Sequence, residues 1–259
     1  MDRGVRQVRT TEGGPQRLEA RGIHVRFAGV HALTAVDLTL ERGEIVGLIG
    51  PNGAGKTTMV NTVSGFQRPA EGRILLDGKD ITRWPTHRRA RHGIARTFQA
   101  VRAFGGLTVR ENLETAVFAT GLSRRAAADA CAEMLQLVGL ADSAATRADS
   151  LSYGQERRLG IARALAGRPG LLLLDEPAAG LNELESDQLL DSLNEIRARL
   201  GCGLLVIEHD MRLIMRLCDR LHVLDHGSTL ASGLPDEVAR DPQVLAAYLG
   251  APRQGDDVA

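Results

Sequence analysis

A glycine-rich stretch that directly follows a short apolar run constrains this chain more than any other feature. The stretch reads GPNGAGKTT at positions 50–58 and comes after the run Ile45–Ile49. It fits the pattern GxxxxGK[ST], in which glycines permit turns that point successive N–H groups at phosphate oxygens, helped by the dipole of the following helix. The bare pattern arises by chance in on the order of 1% of chains this long, so we predict a phosphate-binding loop rather than a glycine-rich surface turn.

The side chains of this loop have distinct expected contacts. Lys56 would reach the β- and γ-phosphates, Thr57 would offer its hydroxyl to Mg²⁺, and Thr58 would add a phosphate contact. Only Lys56 and Lys79 are lysines among the 32 basic residues, so a lysine placed in this loop by chance is improbable. The loop residues expected around the phosphates are Gly50, Pro51, Asn52, Gly53, Ala54, Gly55, Lys56, Thr57 and Thr58.

Two adjacent carboxylates end a second apolar run, LLLL at positions 171–174. Asp175 would hold Mg²⁺ through water, and Glu176 would polarise an attacking water as a general base. Any parallel strand can end in acidic residues where a helix starts, so this pair gains its meaning from the upstream loop.

The segment LSYGQ at positions 151–155 precedes the helical run 156–166. Ser152 is expected to cap that helix, and Gly154 would let its backbone approach a ligand closely, which makes the helix end a ready anion site. Taken alone, the segment is equally well an ordinary helix cap.

Composition excludes several classes of protein. Acidic and basic residues balance at 32 each, so no overall basic field favours nucleic acid. No apolar run approaches the roughly 18 residues of a membrane-spanning helix. The polar residues 1–17 lack the apolar region of a secretory signal and are expected to form a disordered cytoplasmic tail. Cys131, Cys202 and Cys218 show no CxxC spacing, which indicates buried thiols in a reducing compartment.

The pattern of apolar residues favours an α/β fold with a largely parallel sheet, because short apolar strands alternate with amphipathic helices. The block 107–149 is rich in Ala and Leu, and its helical spacing at 109–118 and 124–138 predicts an inserted helical subdomain. HRRARH at 87–92 predicts a short helix with a solvated basic face, with membrane headgroups or nucleic acid as the alternative contacts. Strand-like runs occur at 22–26, 36–40, 45–49, 73–76, 171–175, 204–208 and 221–224.

The ordered motifs resemble ABC-type nucleotide-binding domains across residues 18–250. The loop is similar to the Walker A motif, LLLLDEP to Walker B, LSYGQ to the family signature and AAGLN to the D-loop. Gln99 in RTFQ resembles the Q-loop glutamine and His209 in VIEHD the switch histidine, while Phe27 matches the aromatic that stacks on adenine. The resemblance implies a P-loop NTPase core with antiparallel β strands on the N-terminal side, a helical subdomain inserted at about 100–165, and a C-terminal tail at 251–259.

The resemblance also implies a mechanism in which two such domains pack head to tail around two ATP molecules. The Walker motifs of one subunit and Ser152, Gly154 and Gln155 of the other would form each site. Gln99 would contact Mg²⁺ or water, and His209 would contact the γ-phosphate and orient Glu176. The expected catalytic residues are Glu176, His209 and Gln99, and the expected Mg²⁺ ligands are Thr57, Gln99 and Asp175.

Partners follow from the same resemblance. Transmembrane permease subunits would dock near residues 100–112, with Val101, Phe104 and Leu107 as apolar candidates that could equally be buried. A second ATPase subunit, identical or paralogous, would complete the dimer, and an extracytoplasmic solute-binding protein would act indirectly. The chain would lie peripherally on the cytoplasmic face of the bacterial inner membrane, with no nucleic-acid partner.

Within the family the chain is most similar to ATPase subunits of branched-chain amino-acid importers, through IARTFQ, DEPAAGLN, HVLDHG and DPQVLAAYLG. Urea, amides and lipopolysaccharide export remain alternatives for the transported substrate. A non-transport ABC ATPase of DNA repair or translation usually carries a long coiled-coil insertion or two such domains. A small-molecule kinase would share the phosphate loop but would have no use for LSYGQ or His209.

Overall fold

Ten strands lie within residues 16–98 and 103–249, the part of the chain that the computed structural model describes, and they form two sheets. They are β1 (Arg17–Phe27), β2 (Val30–Glu41), β3 (Ile45–Ile49), β4 (Glu71–Leu76), β5 (Lys79–Asp80), β6 (Ile94–Arg96), β7 (Leu171–Asp175), β8 (Gly203–Ile207), β9 (Arg220–Asp225) and β10 (Ser228–Gly233). The antiparallel sheet has the order β2-β1-β4-β5, and the second sheet has the order β10-β9-β3-β8-β7-β6.

The second sheet is parallel from β9 to β6, and only its edge strand β10 runs antiparallel. Every residue of β3, β7 and β8 is buried, as expected for parallel strands covered on both faces. Carboxyl ends of parallel strands meet at one edge of a sheet. The residues that follow β3, β7 and β8 are therefore brought to the same edge.

Alternate residues of β3 serve two hydrophobic cores. Ile45 and Ile49 pack with the helices on one face, whereas Val46 and Leu48 pack against the antiparallel sheet on the other. The expected α/β core with antiparallel strands on its N-terminal side is thus confirmed.

Nine α-helices occur in the described part of the chain. They are α1 (Lys56–Ser64), α2 (Thr86–Arg91), α3 (Val109–Phe118), α4 (Arg124–Leu137), α5 (Tyr153–Leu165), α6 (Glu183–Leu200), α7 (Met211–Leu217), α8 (Pro235–Val238) and α9 (Pro242–Leu249). None of these helices is both long and apolar enough to span a membrane.

The helical block predicted at 107–149 forms α3 and α4. Thr108 and Glu111 make a reciprocal capping box at the start of α3, and Ser123 caps α4. The described residues of this block contain no strand, only an isolated bridge between Thr108 and Arg147. Helical spacing was therefore sufficient to predict these helices, and the caps explain where they begin.

The predicted strands are present, although their ends differ from the expectation. β1 begins at Arg17, and β8 ends at Ile207, so that Glu208 lies just beyond the strand. Three strands were missed because their sequences give little apolar signal: β5 has two residues, β6 has three, and β10 reads STLASG.

The basic segment 87–92 forms a helix as predicted, but a uniformly solvated face is wrong because Arg89 is buried at 1% exposure. Burial lowers its pKa to about 10. Its N–H groups satisfy carbonyls that include the last ones of α1, which have no partners inside their own helix. The accepting carbonyls, at 2.6–3.1 Å, belong to Thr62, Val63, Ile81, Thr82 and Trp84.

The three cysteines are buried free thiols, as expected. Burial raises the pKa of Cys202 and of Cys218 to about 12, so both stay protonated and packed at neutral pH.

Candidate functional site

The glycine-rich loop joins β3 to α1, and its glycines are required by backbone geometry. Gly50 has φ 145°, and a Cβ built there would lie 2.0 Å from the Leu224 carbonyl oxygen. Gly55 has φ 104°, and its Cβ would lie 2.7 Å from the Ala32 carbonyl oxygen. A larger residue at either position would therefore displace the loop from its place between β9 and β2.

The N-terminus of α1 is open toward an anion. Gly55 is its N-cap, and no side chain among the described residues caps it. The first N–H groups of a helix have no partners within the helix, so they are free to bind phosphate oxygens.

Lys56 folds back over the loop in this structure. Its Nζ donates to the carbonyl oxygens of Gly50 at 2.7 Å and Pro51 at 2.9 Å. Burial lowers the pKa of Lys56, and the negative charges of Glu176 and Asp175 oppose that change. Lys56 and the two carboxylates are therefore within electrostatic reach of one another.

Asp175 forms a buried ion pair that the motifs did not reveal. Arg96 Nη2 donates to Asp175 Oδ2 at 2.8 Å. Arg96 Nη1 donates to Asn61 Oδ1 at 2.6 Å and lies 3.2 Å from Ser64 Oγ, both on α1. Arg96 thus connects the end of β6, helix α1 and the end of β7. It lies in IARTFQ, which the sequence offered only as a mark of lineage.

The groups around Asp175 suit a metal that takes most of its ligands from phosphates and water. No three His, Cys, Asp or Glu side chains in ranges 16–98 and 103–249 come together as a metal site. Mg²⁺ is commonly held by one or two protein groups together with substrate phosphates and water. The Thr57 hydroxyl and the Asp175 carboxylate therefore fit Mg²⁺ that arrives with a nucleotide.

Glu176 has a left-handed backbone, with φ 48°. This conformation is uncommon for residues other than glycine and costs on the order of 1–3 kcal/mol. The Glu176 N–H donates to the Ile207 carbonyl oxygen at 2.9 Å, which ties it to the end of β8. Strain of this kind concentrates at functional positions, in keeping with the role predicted for Glu176.

His209 follows the end of β8 and its side chain is 68% exposed, which rules out a core histidine. The preceding residue, Glu208, is buried and was not singled out from the sequence. Its carboxylate accepts hydrogen bonds from the N–H groups of Ala178, at 2.5 Å, and His209, at 3.2 Å. Burial raises the pKa of Glu208, and these amide bonds oppose the change.

The signature segment begins α5 three residues earlier than expected. Ser152 caps the helix in a reciprocal capping box with Gln155, as expected from LSYGQ. Ser152 Oγ also donates to Glu185 Oε1 at 3.0 Å, and a Cβ on Gly154 would lie 2.8 Å from that same carboxylate oxygen. The structure therefore places Ser152 and Gly154 against a carboxylate of their own chain, at the start of α6.

The remaining predicted residues lie at the margins of the site. Phe27 is 47% exposed at the end of β1, so it is available to a planar ligand. Gln99 and Val101 lie outside the described residues. Phe104 is exposed, and Leu107 is partly buried.

Two aromatic contacts near the site were missed from the sequence. Phe66 and Phe98 are both exposed and form an edge-to-face pair with centroids 5.5 Å apart. Burial raises the pKa of Tyr248 on α9, and a hydrogen bond with the Gly50 backbone opposes the change. The C-terminal helix therefore contacts the phosphate loop.

Comparison with known proteins agrees with this arrangement. Residues 33–179 match the family model "ABC transporter", and residues 228–253 match the model "Branched-chain amino acid ATP-binding cassette transporter". The high-affinity branched-chain amino acid transport ATP-binding protein BraF of Pseudomonas aeruginosa is 43% identical, over 90% of this chain and 97% of that protein.

Solved structures show the same fold. The ADP conformation of MJ1267, an ATP-binding cassette of an ABC transporter, has a TM-score of 0.81 at 29% identity, covering 91% of this chain and 99% of that one. The dimeric structure of MJ0796, a bacterial ABC transporter cassette, has a TM-score of 0.74 at 25% identity, covering 84% and 98%. On its motifs, its fold and these similarities, the chain belongs to the ABC transporter family, in which it is a nucleotide-binding cassette.

Proposed function

We propose that this chain is the ATP-hydrolysing subunit of an importer for branched-chain amino acids or a similar small polar solute. The observation that carries this proposal is the meeting of the phosphate loop, Asp175, Glu176 and His209 at one edge of the parallel sheet. The solute is inferred from the name of the BraF relative and from the family match at 228–253.

One group of residues in the site would bind the phosphates and Mg²⁺. The open N-terminus of α1 and Lys56 would bind the phosphates, with Lys56 exchanging the carbonyls of Gly50 and Pro51 for phosphate oxygens. Thr57, Gln99 and, through water, Asp175 would hold Mg²⁺. That ion would neutralise phosphate charge.

Glu176 would accept a proton from water as the water oxygen bonds to the γ-phosphorus and the bond to the bridging oxygen of ADP breaks. His209, exposed beside this edge, would donate a hydrogen bond to the γ-phosphate and keep Glu176 oriented. Phe27 would stack on the adenine ring.

Each complete site would need a second ATPase subunit, identical or paralogous. Ser152, Gly154 and Gln155 would face the γ-phosphate held by the partner, because the start of α5 offers N–H groups to an anion. Glu185 now occupies that position through Ser152 Oγ, so it would have to move aside as the dimer closes.

The permease subunits would dock beside the segment that follows β6. Phe66 and Phe98 form an exposed aromatic pair and Phe104 is also exposed, and exposed apolar surface is a common feature of protein interfaces. The chain would thereby lie peripherally on the cytoplasmic face of the bacterial inner membrane, and a solute-binding protein would act only through the permease.

Dimer formation tests the ATP site. Light scattering after size exclusion should show that Glu176→Gln shifts from monomer to dimer when ATP is added. The reason is that the variant no longer hydrolyses the ATP that holds the dimer closed. The double variant Lys56→Ala/Glu176→Gln should stay monomeric. Calorimetry showing unchanged ATP affinity in Lys56→Ala would contradict the phosphate loop.

Stimulation of hydrolysis tests the transport role. The complex purified through a tag on this chain, in liposomes with its binding protein, should hydrolyse ATP faster when leucine, isoleucine or valine is added. Stimulation by nucleic acid instead would refute transport.

A further inference from the structure

Glu208 lies where the chain segment carrying Glu176 meets the segment carrying His209. We propose that Glu208 is a positioning residue that holds these two groups in fixed relation for ATP hydrolysis; the inference rests on the proposed function. Glu208 is the first residue after β8, and it is buried although it carries a carboxylate.

The first contact of Glu208 fixes the turn that presents Glu176. Two hydrogen bonds from the end of β8 anchor this turn, one on each side of Pro177. Before the proline, the Ile207 carbonyl accepts from Glu176 N–H at 2.9 Å. After it, Glu208 Oε1 accepts from Ala178 N–H at 2.5 Å. Between these anchors the backbone of Glu176 keeps its left-handed φ of 48°. A strained conformation persists only where its surroundings hold it, and Glu208 supplies one of the two anchors.

The second contact reaches the histidine. Glu208 Oε2 accepts from the His209 N–H at 3.2 Å and lies 3.7 Å from His209 Nδ1. The two oxygens of one carboxylate therefore bind the segments of the general base and of the histidine. A displacement of either segment would therefore shift the other, because both are hydrogen-bonded to the Glu208 side chain.

Burying a carboxylate to cap a turn has a high desolvation cost. Removing a charged group from water costs several kcal/mol, so a neutral side chain would serve better if packing were the only requirement. What a carboxylate adds is a pair of acceptors at a fixed separation, which suits it to two amide donors.

The variant Glu208→Gln separates positioning from packing. Its side chain is nearly isosteric, and its oxygen can still accept from Ala178 N–H, but its NH₂ group cannot accept from His209 N–H. Since positioning losses in catalysis reach about 10²-fold, we expect kcat to fall by about 10- to 100-fold. The ATP dissociation constant and Tm should change little, and the variant should accumulate an ATP-bound dimer, as we expect of Glu176→Gln.

A matched control is Glu44→Gln, at the opposite end of the same sheet. Glu44 also accepts from a backbone N–H, that of Glu41 at 3.0 Å, and is paired with Arg220. Its replacement should leave kcat unchanged, because Glu44 lies at the edge of the sheet opposite to the residues proposed for hydrolysis.

The possible outcomes are distinct. Unchanged kcat in Glu208→Gln, or a loss of kcat accompanied by lost ATP binding and a lowered Tm, would overturn the proposal in favour of a purely structural role. A wild-type complex that does not hydrolyse ATP would instead refute the proposed function.

Discussion

The guanidinium of Arg89 supports the helix that presents the phosphate loop, and its removal has a calculable effect. Five carbonyl groups accept its N–H groups, two of them at the end of α1. In Arg89→Ala the carbonyls of Val63, Thr82 and Trp84 lose this donor, whereas those of Thr62 and Ile81 still accept from backbone N–H groups. Each unsatisfied buried group costs about 1–3 kcal/mol. Relief of the burial cost of the cation offsets part of that sum. We expect a net loss of about 3–5 kcal/mol in the free energy of unfolding, because three buried carbonyls are left without a donor.

Thermal unfolding followed by circular dichroism measures this loss. For a chain of this size 1 kcal/mol corresponds to about 2–4 °C, so Tm should fall by about 6–20 °C. Arg91→Ala is the matched control, because Arg91 is exposed on the same helix and its loss should change stability by about 0.5 kcal/mol or less. Equal Tm values for the two variants would refute the role assigned to Arg89.

Two further predictions concern Glu185 and His222. In a Glu176→Gln background, Glu185→Gln should lower the ATP concentration that gives half-maximal dimer by about two- to fivefold, because a negative charge no longer competes at the start of α5. A light-scattering titration with Glu183→Gln as the same-turn control checks this, and an unchanged midpoint would contradict it. Burial lowers the pKa of His222 to about 4, from 6.5 in the unfolded chain, so the unfolded state binds the proton first as pH falls. Stability should therefore decrease by up to about 3 kcal/mol between pH 6.5 and 4, and urea unfolding of His222→Gln should lack this component.

Local sequence determines much of the site. The turn before Lys56 needs glycine at positions 50, 53 and 55 because the backbone φ is positive at each, and the Ser152 cap depends on Gln155 only three residues away. Patterns of this kind are visible in a single chain because all their parts are neighbours. The helices α3 and α4 were predictable for the same reason.

Contacts between distant segments were not predictable from the chain alone. Arg96 and Asp175 are 79 positions apart, Ser152 and Glu185 are 33 apart, and Ala178 and Glu208 are 30 apart. From the sequence, Arg89 cannot be told apart from the other charged residues of a basic helix. Its burial depends on acceptors in α1 and in the segment around Ile81, which the local sequence does not reveal. These partners are decided by how the layers pack, which hydrophobic spacing does not specify.

At position 176 the residue that best suits the left-handed backbone differs from the residue that the proposed hydrolysis of ATP needs. Glycine adopts this conformation freely, so Glu176→Gly would relieve on the order of 1 kcal/mol of strain while removing the carboxylate. A chain selected only for thermal resistance would therefore be expected to lose the carboxylate that we propose as the general base. Glutamate at this position therefore has a conformational cost that the proposed role in ATP hydrolysis would explain.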